Sequence, residues 1–353
     1  MFDSLLPFGW SSRWEGAWLE SAPRADYFPA RVVFRGPDRF RAVAPSGELS
    51  CRLPGALRGL DLRVGDWIAL ESQAEADFAL VRGVLPRNSV LTRQAAGRVT
   101  ARQVLAANVD YVFALTACGR DYSPARMERC VALAWDGGST PVVVLNKIDL
   151  DGDYPVLAAR LEVSAPGVRV VPISAATGQG VEELRALLAP GRSAVLMGSS
   201  GAGKSTLTNA LLGRAVQATT AVRASDDRGR HQTTASGLFP LPSGGVIIDT
   251  PGVREVALWL EGEGLEAGFP DVEELAAACR FSDCAHDGEP GCAVAAAIAS
   301  GDLAPERFRS YLKLKAEAAF HADRAEAARR RRDWEKGIAK LSRTLDRSTK
   351  GLR

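Results

Sequence analysis

The residues best suited to chemistry form a glycine-rich stretch that ends in a lysine and two hydroxyl residues. The stretch comprises Gly198, Ser199, Ser200, Gly201, Ala202, Gly203, Lys204, Ser205 and Thr206. It follows an apolar run and precedes a helical pattern, which is the context in which G-x-x-x-x-G-K-[ST] wraps nucleotide phosphates. We expect main-chain amides to surround the phosphates, Lys204 to reach the β and γ oxygens, and Ser205 to bind magnesium. The stretch predicts a nucleotide site without specifying the base.

A second motif, at the end of the apolar run TPVVVLNKID, indicates which base is bound. The carboxylate of Asp149 can accept hydrogen bonds from N1 and N2 of guanine, whereas adenine has an acceptor at N1 and no amino group at C2. Asn146 is expected to contact the base edge and tie neighbouring loops, with the stem of Lys147 over the ring. Ser174 and Ala175, which end the run VVPISA, are expected to supply a backbone amide for guanine O6.

A third motif begins at Asp249, after the run GGVIID, and ends at Gly252. It suits an aspartate that holds magnesium through water and a glycine amide that meets the γ-phosphate. Each short motif could recur by chance as a solvated turn, but together, each at a strand end, they predict a guanine-nucleotide site. An ordinary small GTPase has its phosphate loop first, whereas here NKID and SA precede it. The sequence therefore predicts a circularly permuted GTPase domain whose last motif leads directly into the C-terminal region, where it could transmit nucleotide state.

The polar stretch 214–235 lies between the phosphate loop and Asp249 and predicts a loop that GTP orders. We expect Thr233 to bind magnesium, with Thr234 as the alternative. Val253 follows the third motif where a water-orienting glutamine often stands, so intrinsic hydrolysis should be slow. His231 is a candidate catalytic replacement; the alternative is an ordinary solvated histidine.

A cluster of soft and borderline ligands near the C-terminus points to a metal site. It consists of Cys279, Cys284, His286 and Cys292 in the pattern C-x4-C-x-H-x5-C. Such spacing is typical of a closed, structural tetrahedral site that binds one zinc ion. The alternative is three helical cysteines beside a surface histidine.

The pattern of apolar runs predicts three domains that position these motifs. Short β-type runs favour an OB-fold barrel within residues 1–100, with five strands between 30 and 92. Buried strands alternating with helices predict the α/β P-loop GTPase domain at 101–255, including two strands within 236–249. Residues 256–353 are predicted to form an α-helical zinc-binding domain, with helices at 272–300 and 304–345.

Charge is distributed unevenly along the chain. Residues 301–353 contain fifteen Lys or Arg against eight Asp or Glu, although the whole chain has a formal net charge of only +2. Such a basic tail favours contact with a polyanion such as RNA over the alternative of a merely solvated face. No apolar run reaches eighteen residues and no signal peptide is evident, so we expect a cytoplasmic protein without membrane contact.

The permuted motif order, the segment GRHQTT, the cysteine cluster and the OB-like N-terminus together resemble the RsgA (YjeQ) family of circularly permuted bacterial GTPases. This resemblance implies hydrolysis of GTP with Mg²⁺, stimulation by the small ribosomal subunit, contact with its rRNA and release of the assembly factor RbfA. We also expect a monomer. One departure is Gln232, because family members often have H-T-T where this chain has His231, Gln232 and Thr233. Either Thr233 or Thr234 could therefore be the threonine that binds magnesium.

Two other functions remain open at this point. The chain could be an RNA-binding protein that uses GTP only as a regulatory ligand, or a permuted GTPase that acts on another ribosomal particle. Turnover in the presence of small subunits would separate the first alternative from a GTPase. The second is disfavoured because the known large-subunit GTPases of this type lack the cysteine cluster.

Overall fold

The computed structural model describes most of the chain, with several gaps. The described residues are 2–21, 24–36, 40–57, 59–72, 77–94, 102–213, 236–249 and 263–320. The sequence predictions for His231, Thr233, Thr234, Gly252 and the basic tail beyond 320 lie outside them. Both predicted domain boundaries, at residues 100 and 255, also lie outside, so that division stays a prediction.

The N-terminal part contains the predicted five-stranded barrel. Its strands are β1 (Tyr27–Arg35), β2 (Phe40–Ala44), β3 (Gly47–Arg52), β4 (Trp67–Ser72) and β5 (Phe78–Val84). They hydrogen-bond in the order β1-β2-β3-β5-β4, and β4 pairs again with β1, which closes the barrel. Val32, Ile68 and Val81 are fully buried inside it. Strand β5 shows the alternation expected of a barrel strand, because Ala79 and Val81 are buried and Arg82 between the strand's two ends is exposed, whereas β1 and β4 are buried over four or five consecutive residues.

Residues 2–21 pack against this barrel. A 3₁₀ segment (Asp3–Phe8) precedes helix α1 (Ser12–Glu20). The rings of Trp10 and Trp14 lie 4.8 and 5.9 Å from Trp67 of the barrel, measured between centroids. Large apolar rings gain most from burial, so these tryptophans fix the N-terminal segment to the barrel.

An antiparallel hairpin follows the barrel. It consists of β6 (Val90–Gln94) and β7 (Arg102–Ala107), which the sequence reasoning did not predict. Its strands are short, and polar residues occupy the second half of β6 (Thr92–Gln94) and the start of β7 (Arg102, Gln103), which interrupts the apolar pattern that marks a strand.

The remaining strands form a sheet with helices on both faces. The strands are β8 (Tyr111–Ala117), β9 (Thr140–Asn146), β10 (Arg169–Pro172), β11 (Ser193–Gly198), β12 (Ser236–Pro240) and β13 (Val246–Asp249). The helices are α2 (Pro124–Asp136), α3 (Tyr154–Ser164), α4 (Val181–Leu187) and α5 (Lys204–Leu212). Strand order is β10-β9-β8-β11-β13-β12, with every neighbouring pair parallel except β12 and β13.

Burial on both faces explains the continuous apolar runs of these strands. In β8, Val112 belongs to the core that packs against α2 and α3, whereas Phe113 belongs to the core beneath α4 and α5. Because β9, β10, β11 and β13 run parallel, their carboxyl ends meet at one edge of the sheet. This edge is where open α/β sheets bind ligands.

The barrel and the α/β sheet are joined by strand pairing and by one buried arginine. Strand β12 pairs with β1, with Gly237 opposite Phe34. Arg31 is 1% exposed and donates to the carbonyl of Phe8 at 2.5 Å and to Ser193 Oγ at 3.2 Å. Burial lowers the pKa of Arg31 to about 10. Arg31 therefore ties the N-terminal segment, the barrel and the α/β sheet together.

The described part of the C-terminal region is helical, as predicted, but one of the predicted helices is divided in two by a loop. It contains α6 (Glu263–Gly268), α7 (Pro270–Ala277), α8 (Ala293–Ser300) and a helix α9 at residues 305–320. The prediction of a single helix over 272–300 was wrong, because a loop at 278–292 separates α7 from α8. Gly288 and Gly291 adopt φ values of 88° and 81° there, and Pro290 lacks a backbone donor.

A buried ion-pair network fastens this region to helices α2 and α3. Arg307 is 4% exposed and contacts both carboxylate oxygens of Asp271 at 2.5 Å, the carbonyl of Ser164 at 2.6 Å and Glu128 of α2 at 3.6 Å. Burial raises the pKa of Glu128, against the opposing effect of Arg307. Within the described residues, no helix combines the length and apolar character that a membrane crossing requires.

Candidate nucleotide and metal sites

The glycine-rich stretch forms a loop between strand β11 and helix α5, in the predicted context. Two of its glycines are required by close approach of neighbouring atoms. A Cβ on Gly198 would lie 2.5 Å from the carbonyl oxygen of Leu115, and one on Gly203 would lie 2.2 Å from Nδ2 of Asn146. Both residues also have positive φ values, so other residue types would be strained there.

The positive charge of the loop comes from Lys204 and the start of α5. The ammonium group donates to the carbonyl of Gly198 at 2.6 Å and also to that of Ser199. Ser205 and Thr206 occupy the first turn of α5, where free amides and the helix dipole favour an anion. The loop can therefore bind phosphate groups.

Asn146 connects three of the predicted motifs. Its side chain is 2% exposed, and its Nδ2 donates to the carbonyl of Ala202 in the phosphate loop at 2.8 Å. Its Oδ1 accepts from the amide of Lys147 at 2.8 Å and from that of Ala175 at 3.0 Å. The NKID and SA loops and the phosphate loop are thus fixed to one another, while contact of Asn146 with a base stays a prediction.

The groups expected to select guanine lie at the same edge of the sheet. Lys147 adopts a left-handed conformation with φ of 64°, after which Asp149 is exposed on a short 3₁₀ turn. Ser174 is fully buried; its amide donates to the carbonyl of Gln179 at 2.9 Å, which shapes the loop that carries Ala175. Asp249 ends β13 at this edge. The described part of the predicted site therefore converges on one place.

Sequence reasoning missed one side chain at the phosphate loop. Asp121, between β8 and α2, accepts a hydrogen bond from Ser199 Oγ and forms an ion pair with Arg126 at 2.9 Å. No local motif marks Asp121, because only the pairing of β8 with β11 brings the two loops together.

Thiols near the loops do not supply the chemistry of this site. Burial raises the pKa of Cys130 to about 12 and also raises that of Cys118, on which Asp151 acts in the same direction. Both therefore stay protonated at neutral pH and are poor nucleophiles. The described loops offer instead an ammonium, backbone amides and carboxylates, which are the groups that phosphoryl transfer uses.

The cysteine cluster is assembled in three dimensions as its spacing predicted. The ligand atoms of Cys279, Cys284, His286 and Cys292 all lie within 4.8 Å of one another. Cys279 Sγ is 3.9 Å from Cys292 Sγ and 3.5 Å from Nδ1 of His286. A tetrahedral ion with bonds of about 2.3 Å to sulfur and 2.0–2.1 Å to nitrogen needs separations of about 3.8 and 3.6 Å. The cluster can therefore hold a metal ion.

Neighbouring groups hold the ligand loop in shape. The carboxylate of Glu289 accepts from the amides of Ala285 and Asp287, each at 2.7 Å. The ring of His286 meets that of Phe308 edge-on, with centroids 5.9 Å apart. Cys292 also caps α8, because its sulfur accepts from the amide of Ala295. These contacts attach the loop to α8 and α9.

Comparison with known proteins shows which family shares this arrangement. Residues 84–259 match the family model for the RsgA GTPase. The protein of Methanosarcina acetivorans named small ribosomal subunit biogenesis GTPase RsgA is 39% identical over 330 residues, which cover 93% of this chain and 89% of that protein. The chain belongs to the RsgA GTPase family. A Streptomyces coelicolor protein of the same name is 44% identical over 321 residues, covering 89% of this chain and 86% of that protein.

Solved structures agree with this assignment. YjeQ from Thermotoga maritima superposes with a TM-score of 0.63 at 28% identity, covering 83% of this chain and 99% of that one. YloQ, described as a circularly permuted GTPase, superposes with a TM-score of 0.58 at 21% identity. The match covers 84% of this chain and 97% of YloQ. The resemblance to RsgA and the permuted order predicted from the sequence are therefore confirmed. GTP hydrolysis is the chemistry of this family.

Proposed function

We propose that this RsgA protein hydrolyses GTP to GDP and phosphate to time its own departure, or that of another assembly factor, from a maturing small ribosomal subunit. The observation that carries this proposal is that Asn146 joins the phosphate loop, NKID and SA at the sheet edge where Asp249 ends β13. The name shared by its relatives supports the choice of ribosomal particle.

In this proposal the site residues have separate roles in binding and hydrolysis. Lys204 and the amides at the start of α5 balance phosphate charge that grows in the transition state, and Asp149 selects guanine. Mg²⁺ supplies further neutralisation of the phosphates when GTP is bound; Ser205, Asp249 and Thr233 are the residues that would hold it. His231 would orient the attacking water, with a solvated role as the alternative.

Stimulation by the small subunit and contact with its rRNA are part of the same proposal. The basic C-terminal tail supports RNA contact. The barrel supports it too, because Arg41 lies 4.6 Å from the ring of Phe34 and Arg52 lies 4.1 Å from that of Phe78, each measured to the ring centroid. Arginine and aromatic groups together are typical of surfaces on which bases stack. A monomer acting in the cytoplasm, where subunits assemble, fits this role.

We further propose that the metal of the Cys3His cluster is one structural zinc ion. The four soft or borderline ligands suit zinc, and they complete a tetrahedral set without a position for water. Zinc would hold the loop between α7 and α8 and thereby the helices on either side.

A turnover assay tests the proposal against its rivals. Purified protein is mixed with GTP alone, with small subunits or with large subunits, and phosphate release is followed; Lys204→Ala serves as the inactive control. We expect slow release alone and faster release only with small subunits. GTP binding without turnover in any mixture would favour the GTP-regulated RNA-binding protein. Stimulation by large subunits would favour action on another ribosomal particle.

A further inference from the structure

The contact between Asp121 and the phosphate loop joins two segments that are far apart in sequence. Oδ1 of Asp121 accepts from the hydroxyl of Ser199, the first residue of the loop after β11. The same oxygen pairs with Arg126 in the first turn of α2 at 2.9 Å. Asp121 is thus held by α2 on one side and holds the loop on the other.

One oxygen of the Asp121 carboxylate is buried at some energetic cost. Its Oδ2 is buried and has no hydrogen-bond partner among the described residues, although the side chain as a whole is 20% exposed. Burying an unpaired carboxylate oxygen is unfavourable, and native structures rarely retain such groups without a reason. A purely structural cap for α2 would not explain the residue, because Ser123 already caps that helix by accepting from the amide of Arg126.

The loop residue that Asp121 holds also contacts Lys204. The carbonyl of Ser199 accepts from the ammonium of Lys204, while its hydroxyl donates to Asp121. The carbonyl and hydroxyl belong to one residue, so fixing the hydroxyl limits rotation of the backbone that receives the ammonium. The chain of contacts runs from α2 through Asp121 and Ser199 to the lysine of the phosphate loop.

We propose that Asp121 is a positioning residue for hydrolysis, which sets the place of the Lys204 ammonium by holding Ser199. This inference rests on the proposed GTP hydrolysis. Negative charge on the phosphate oxygens shifts during transfer, so a misplaced ammonium costs more in the transition state than in the bound ground state. Loss of Asp121 therefore lowers kcat more than it lowers nucleotide affinity.

A double-mutant cycle on the full-length protein tests this. The single variants are Asp121→Ala and Ser199→Ala, compared with the double variant and with Asp153→Ala, an exposed aspartate at the same edge of the sheet. We expect each single variant to lower kcat about 10- to 100-fold, as loss of a charge-assisted hydrogen bond implies, with the GDP Kd changed less than about threefold. The double variant should be no worse than Asp121→Ala. Asp153→Ala should match the parent.

Conservative variants separate positioning from folding. Ser199→Ala leaves the pair between Asp121 and Arg126 in place, so it stays informative even if Asp121→Ala folds poorly. Ser199→Thr keeps a hydroxyl and should retain most of the parental kcat. Asp121→Asn keeps an oxygen acceptor for Ser199 but has no charge. Its kcat should therefore fall less than that of Asp121→Ala.

Amide hydrogen exchange at residues 198–203 provides a readout that does not depend on turnover. We expect faster exchange there in Asp121→Ala and Ser199→Ala than in the parent or in Asp153→Ala. Additive losses of kcat in the cycle, or equal losses of kcat and GDP affinity, would overturn the proposal. If the parent hydrolysed no GTP, the proposed function would fall, and unchanged exchange in Ser199→Ala would then reject the positioning contact separately.

Discussion

Replacing Asn146 with alanine should weaken guanine-nucleotide binding strongly, although the side chain is buried rather than displayed. The change removes the hydrogen bonds to the carbonyl of Ala202 and to the amides of Lys147 and Ala175. Ala175 and Ala202 are themselves 6% and 0% exposed, so solvent cannot readily replace the lost partner. The NKID and SA loops would then lose their common attachment to the phosphate loop.

The expected magnitude follows from the two buried groups left unpaired. Each buried group without a partner costs about 1–3 kcal/mol, or about 2–6 kcal/mol for the two. Part of this free-energy cost lowers the stability of the loops in the nucleotide-free protein. The remainder weakens nucleotide binding, because binding energy is then used to order the loops. We expect the GDP Kd of Asn146→Ala to rise about 100-fold, which corresponds to about 2.7 kcal/mol.

A second variant tests the hydrogen bonds of Asn146 without changing the volume of its side chain. Asn146→Asp keeps the shape and the Oδ1 acceptor but places a buried, charged oxygen 2.8 Å from the carbonyl oxygen of Ala202, where Nδ2 donates in the parent. It should bind GDP at least as weakly as Asn146→Ala. Asn88→Ala, an exposed asparagine on the segment between the barrel and the hairpin, is the matched control.

Equilibrium titration of a fluorescent GDP analogue into each purified variant measures these constants, with thermal unfolding as a check that each variant is folded. The control should bind as the parent does. A Kd for Asn146→Ala within about threefold of the parent, in folded protein, would refute the reasoning, since about 0.65 kcal/mol is less than one unpaired buried group should cost.

Other parts of the structure give measurable expectations. Arg307→Ala should lower protection of residues 263–320 from hydrogen exchange by about 3–5 kcal/mol, whereas exposed Arg309→Ala should change it by less than about 0.5 kcal/mol. Because burial raises the pKa of Glu128, its contribution to stability is present below its unfolded pKa of about 4.3 and is lost as pH rises through the folded pKa. In urea unfolding at several pH values, the free energy of unfolding of the parent should therefore fall as pH rises. Glu128→Gln should lack this fall. Asp149→Asn should weaken GDP binding by about 1.5–3 kcal/mol in the same titration. Elemental analysis should find one zinc ion per chain, and chelation should raise exchange in the loop at 278–292 more than in the sheet.

The sheet and much of the candidate site could be predicted because their signals are local. A strand buried on both faces leaves an apolar run, and a phosphate loop leaves glycines and a lysine at fixed spacing. The metal ligands lie within one short segment, so their spacing already limits their separation. In each case the residues that must meet are close in sequence or lie at the ends of parallel strands.

Features that depend on distant contacts left no such signal. Asp121 meets Ser199 only after β8 and β11 pair, and Arg307 meets Glu128 only after α9 packs on α2. The helix predicted over 272–300 failed for a related reason: alanine-rich sequence favours helix, whereas the ligand loop is held by contacts with Gly291 and its neighbours. Propensity is a weak guide where tertiary contacts decide.

The position of α2 bears on how a permuted GTPase can connect its nucleotide site to the C-terminal region. Chain order alone suggested that this connection runs through the segment after Asp249. The structure adds a second physical connection, because the start of α2 carries the pair between Arg126 and Asp121, while Glu128 and Arg129 further along it pair with α9. Gly264 of α6 also lies so close to α2 that a Cβ there would be 2.2 Å from the carbonyl of α2 Ala132. Close-packed interiors transmit strain, so we expect that a shift at the phosphate loop that displaced the start of α2 would also act on the C-terminal helices.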